Sequence, residues 1–192
     1  MRRSKLVPLG LELIAILCII SALALAGCNR DQRRIDEDIK AIRSCYEDAF
    51  LTGSEHYDAS PAVKVVFNEE VSCYYLHYSI TIDNPKEQMR DVTATGLLND
   101  EMIDFLRAPS LFFTSVLAET PIDVGNDGAP GLVVSRSFIL MPRSEIDSNG
   151  FREVFQEVRA RVTWVDELGN RRSEYFHWTA IDVDDSVWGY LE

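Results

Sequence analysis

The spacing of apolar residues takes three forms in turn along the chain. From Leu13 to Ala26 the run LIAILCIISALALA is apolar and uncharged. At ~1.5 Å per residue it would span about 21 Å as a helix, short of the ~30 Å hydrocarbon core of a bilayer. From Asp31 to Leu51 a helical period takes over: Ile35, Ile39, Ile42, Tyr46, Ala49 and Phe50 recur at spacings of three and four. Arg33, Arg34, Asp36, Glu37, Lys40 and Arg43 lie mostly off that stripe, so an amphipathic helix packed on its own domain is expected. Gly53 is a natural stop.

Beyond Pro61 the period falls to two. Val63–Phe67 is a short β-branched run. Between Cys73 and Ile82, Tyr74, Leu76, Tyr78, Ile80 and Ile82 face one way, and Cys73, Tyr75, His77, Ser79 and Thr81 the other. Asp83-Asn84-Pro85 closes that strand, and Asp91–Leu98 predicts the next. Asn99 or Asp100 caps a helical turn carrying Met102, Ile103 and Leu106, ended by Pro109. Leu111–Leu117 and Leu132–Met141 read as strands, separated by a loop over Asp123–Gly131. Val154–Val165 and Arg172–Trp178 predict a hairpin across Glu167-Leu168-Gly169-Asn170. Ile181–Leu191 reads as a final strand after the acidic turn at Asp184-Asp185. The sum is a mainly β fold, an antiparallel β-sandwich over residues 61–192 preceded by one amphipathic helix within residues 28–53. The alternative is an α+β fold with the helix packed on one curved antiparallel sheet.

The first apolar run belongs to a leader. Arg2, Arg3 and Lys5 precede it, and Leu25-Ala26-Gly27-Cys28 follows its centre. This tetrad resembles the lipobox of bacterial lipoproteins: an aliphatic residue, a small one, Gly or Ala, then Cys. The resemblance implies a signal peptide over residues 1–27, recognised at Leu25, Ala26 and Gly27 and cut before Cys28. A diacylglyceryl group would then sit on the Cys28 sulfur, and two acyl chains suffice for stable anchoring. The other reading is an uncleaved signal anchor in which Cys28 is an apolar helix residue. In the strand region, YSITIDNP followed by DVTATG is similar to one edge of bacterial immunoglobulin-like modules, which implies an immunoglobulin-like sandwich.

Charge then narrows the partners. Residues 1–27 hold three of the 19 basic and one of the 31 acidic residues, so the mature chain would carry 16 against 30, a net of −14. Such an excess repels phosphate backbones and anionic headgroups, which argues against nucleic acid and against membrane binding through the domain surface. With Cys18 in the leader and Cys28 lipidated, Cys45 and Cys73 are the one candidate disulfide; two buried free thiols are the alternative.

Candidate chemistry is sparse. His77 and His177 sit in strands among aromatics, where a structural role is the simpler account, and His56 stands alone. There is no GxSxG, no HExxH and no Gly-rich phosphate loop. Asp123, Asn126 and Asp127 beside Gly128 suggest calcium, but the EF-hand spacing fails because Gly125 and Val134 stand where oxygen ligands are needed. Asp182, Asp184 and Asp185 read as a solvated turn. Tyr75 and Tyr175 are candidates for a contact face or for burial under the helix. No cofactor or metal is expected. The functional expectation is a lipid-anchored, extracytoplasmic, non-enzymatic binding module for a protein or envelope component. The alternatives are a structural subunit of a membrane complex and an envelope hydrolase using carboxylates that sequence cannot group.

Overall fold

Alternation of buried and open positions sorts the chain into two facing sheets. The computed structural model describes residues 31–116 and 120–192. Helix α1 covers 31–43. The strands are β1 (Asp58–Asn68), β2 (Cys73–Asp83), β3 (Arg90–Leu98), β4 (Leu106–Arg107), β5 (Phe112–Thr114), β6 (Leu132–Leu140), β7 (Val158–Val165), β8 (Arg171–Trp178) and β9 (Asp182–Val183). Helices α2 (Ser148–Val154) and α3 (Asp185–Leu191) complete the main elements.

One sheet runs β4-β6-β2-β1-β9 and the other β5-β3-β7-β8. In immunoglobulin lettering β1, β2, β6 and β4 take the A, B, E and D positions, and β3, β7 and β8 take C, F and G. The mainly β sandwich with an N-terminal helix is therefore what the chain forms, and the one-sheet α+β alternative is excluded. Leu76, Tyr78, Ile80 and Ile82 of β2 face Val158, Ala160, Val162 and Trp164 of β7 across the interior, all buried. The disulfide that links B to F in antibody domains has no counterpart at these apolar positions. Tyr78 instead crosses the core and donates its hydroxyl to the Phe155 carbonyl at 2.7 Å.

Three expectations need correction. The N-terminal helix stops at Arg43 rather than reaching Leu51. The chain must there leave the sheet face and turn its edge: after a 3-10 turn at Glu47–Ala49, Leu51 donates its amide to Tyr175 at 2.8 Å along β8. Val154 is not a strand residue; it ends α2, whose start is capped by the Asp147 side chain and which buries Phe151 and Val154. Ile181–Leu191 is not a strand either. Only Asp182 and Val183 pair, parallel to β1, before α3 begins.

Helix α1 lies across the outer face of β3 and β7. Ile35 and Ile42 are buried there, and between them Asp38 reaches Thr95 and Arg161. Its Arg34 borders Asp91–Thr93, where β3 begins, and its Arg43 meets Asp100, just past the end of β3, at 2.6 Å. The helix thus runs along β3. Its Asp31 end lies at the β2–β3 turn, the end of the sandwich opposite the β1–β2 turn.

Candidate functional site

The β1–β2 hairpin projects a cluster of apolar side chains that the core does not use. Eleven antiparallel pairs run from Asp58↔Asp83 to Asn68↔Cys73. The turn is built by polar chemistry: Asn68 Oδ1 accepts from the amides of Glu70 at 2.9 Å and Val71 at 3.4 Å. Ser72 takes a left-handed φ of 49° to bring the chain back. A valine at such a tip has no partner to pack on, and Val71 is 58% exposed.

Of the ten large apolar residues exposed among the described residues, four (Val66, Phe67, Val71 and Tyr74) lie on this hairpin end. On one face Phe67 and Tyr74 meet with ring centres 4.8 Å apart and planes tilted by 50°, and Tyr74 meets Tyr190 of α3 at 4.8 Å. On the other face Val66, Tyr75 and Ile139 stand in one cross-strand row. An open groove of about 780 Å³ follows that second face, lined by Lys64, Val66, Tyr75, His77 and Ser137. Apolar surface gathered at one projecting end, with Glu69 and Glu70 beside it, is the make-up of a contact surface.

The sequence-predicted residues fall in several places. Leu25, Ala26, Gly27 and Cys28 lie outside the described residues. Cys45 follows α1 on the outer side of the C-F-G sheet, and Cys73 opens β2 in the other sheet. Both are free thiols, so the candidate Cys45–Cys73 disulfide is not formed. Burial pushes the Cys45 thiol up, with Glu47 and Asp48 adding to it. The position for α1 that such a bond would impose, over the sheet containing Cys73, is also not the observed one.

The histidines are held by neighbours. His77 bonds Ser137 at 3.0 Å on the open face, where burial and then Lys64 lower its pKa. His177 stands between Glu47 and Glu157, at 3.0 Å from each. His56 meets Glu87 at 3.0 Å, and the same carboxylate accepts from Trp164 at 3.2 Å. In the 123–128 loop, Asp123 accepts from the Asp91 amide at 2.9 Å and so serves the turn. Among the described residues no group of three or more His, Cys, Asp or Glu is placed to hold a metal ion. Asp184 caps α3 by accepting from the Ser186 amide at 2.9 Å. Tyr75 lies on the open face and not under the helix, whereas Tyr175 is half-buried beside Arg161.

Sequence reasoning missed the hairpin end. Its signal was a valine inside the acidic turn Asn68-Glu69-Glu70-Val71-Ser72, flanked by Phe67 and Tyr74. No protein-family model matches the chain, and no curated protein is similar to it.

Proposed function

We propose that the protein is a lipid-anchored, extracytoplasmic binding module, without catalytic activity, that contacts a protein or other envelope component through its β1–β2 hairpin end. Two features support this reading. The Leu25-Ala26-Gly27-Cys28 tetrad supplies the attachment chemistry. The observation that carries the binding half is the exposed set Val66, Phe67, Val71 and Tyr74 at one end of the sandwich. The acidic mature chain suits a protein partner better than an anionic lipid surface.

Two measurements test the two halves separately. Labelling cells with a fatty-acid analogue should mark the wild-type protein, and Cys28→Ala should remove the label and leave a longer precursor. Unchanged labelling and mobility would refute the anchor. A photo-crosslinker at position 71 should join the protein to a defined partner, and Phe67→Asp should lower that yield at least tenfold while the fold is retained. The same yield from a crosslinker at exposed Leu168, on the far end, would refute the hairpin as the contact.

A further inference from the structure

The outer face of the C-F-G sheet carries a pattern that the sandwich itself does not require. In cross-strand register Thr95, Arg161 and Tyr175 form one row, and Leu97, Arg159 and His177 the next. Each row grips one carboxylate by both oxygens. Asp38 of α1 accepts from Arg161 Nη1 at 2.6 Å and from Thr95 Oγ1 at 3.0 Å. Thr114 steadies that threonine at 2.8 Å. Glu47, in the strap between α1 and β1, accepts from Arg159 Nη2 at 3.0 Å, and its other oxygen meets His177 Nδ1 at 3.0 Å.

A guanidinium with a second donor beside it is a carboxylate receptor. Two such receptors stand side by side, about 6.5–7 Å apart along β7. Arg161 also lies over the Tyr175 ring at 5.6 Å. Glu157, the neighbour of both Arg159 and His177, is also bonded by Asn99 and belongs to the sandwich side of the site.

The segment that fills both receptors buries few apolar side chains, and Phe50, half-buried against His177 at 5.4 Å and Arg159 at 5.7 Å, adds to its hold. Ile35 and Ile42 are its buried apolar side chains, and neither belongs to the inter-sheet core. The Glu47 side chain is 67% exposed. The surface beneath is mostly polar, Thr93, Thr95, Thr163, Arg159 and Arg161, with Leu97 as a buried apolar residue among them that the inter-sheet core does not include. A segment with few buried apolar contacts opens at low cost compared with the core.

We propose that this face is a binding site for an acidic peptide segment, and that residues 31–51 are its built-in occupant, displaced when a partner presents two carboxylates at matching spacing. The proposal stands on the two receptors and not on the lipid anchor or the hairpin.

The test uses the full chain and, as probe, a synthetic peptide of residues 31–51. Asp38→Asn with Glu47→Gln weakens the internal occupant and leaves both receptors intact. This variant should bind the peptide at least tenfold more tightly than the wild type. Adding Arg159→Ala and Arg161→Ala should remove the gain. Binding equal in variant and wild type, or a gain that survives loss of the arginines, overturns the proposal. Hydrogen exchange on the wild type decides the matter even where the variant fails to fold. Amides of 31–51 should exchange at least tenfold faster than those of β2 and β7. Exchange of 31–51 only together with those strands overturns it.

Discussion

Asp166 shows how much one polar side chain settles at the tip of the β7–β8 hairpin. Its Oδ1 accepts from the amides of Asn170 at 2.8 Å and Leu168 at 3.0 Å, while Oδ2 accepts from Arg172 at 2.8 Å. Gly169 supplies the left-handed φ of 85° that the turn needs. The Asn170 amide, then Arg172, hold the Asp166 carboxyl below the usual carboxylate range. Because the folded pKa is depressed, the stabilisation is present above the unfolded carboxylate pKa. It is lost as pH falls through the folded value. Asp166→Asn should therefore lower stability at neutral pH and flatten the acid limb of a stability-versus-pH curve measured by urea unfolding. A parallel downward shift of that curve at every pH would show that the charge is not what matters. This turn was legible in the sequence, because Asp, Gly and Asn at those offsets are turn residues for physical reasons. The arginine–carboxylate rows were not. They join residues as far apart as Asp38 and Arg161, and a chain with this many acids offers too many pairings to choose among.

At the scale of elements, period two is legible in the long strands that line the core, although β1 reads only as Val63–Phe67 and in fact spans Asp58–Asn68. β2 and β7 bury the side chains that alternation assigns inward, except Tyr74 at the hairpin end, which is exposed. It misled where an element is too short to show a period. Between Ile181 and Leu191, Val187 and Leu191 lie four apart and are the buried face of α3, but one such pair is also compatible with an irregular strand. The deciding signal is Asp184, which reads as a solvated turn in the sequence and is the N-cap of α3. Helix α3 also completes the edge of β1, because Ser186 Oγ accepts from the Val65 amide at 3.0 Å, and Tyr190 ties the helix to the end of β6 by donating to the Met141 carbonyl at 2.7 Å. Loss of an N-cap costs ~1 kcal/mol. Asp184→Ala should reduce unfolding free energy by about that amount and speed hydrogen exchange of the Val65 amide. A strand over 181–191 would have no use for the cap, so an unchanged Val65 amide would count against α3 as the edge closure.

At the scale of the molecule, the direction of α1 joins the two halves of the proposed function. Asp31 lies three residues from Cys28, so at ~3.5 Å per residue a lipid on that cysteine, as proposed, would be held within roughly 10 Å of the helix start. That start lies at the β2–β3 turn, and the hairpin tip lies at the other end of strands eleven residues long. At ~3.3 Å per residue the tip is about 35 Å farther from the anchor. Charge works the same way. An acidic domain is repelled by anionic headgroups, while Arg33 and Arg34, close to the proposed lipid attachment, are attracted to them. The lipidated protein should therefore stand with Asn84 and Glu167 near the bilayer and Val71 facing away from it. Glu167 is at the lower end because its carbonyl accepts from Arg90, where β3 begins. In vesicles of anionic lipid, a fluorophore at Glu167 should be strongly quenched by a headgroup-attached quencher and one at position 71 left bright. Equal quenching at the two sites would mean that the sandwich lies flat, and the hairpin would then face lipid. Raising the salt from 50 to 500 mM separates the two forces. The proposed tether would hold by burial of acyl chains, which salt does not screen, and should persist. The tilt imposed by charge should instead relax, because screening at the higher salt confines electrostatic repulsion to within ~5 Å of the surface.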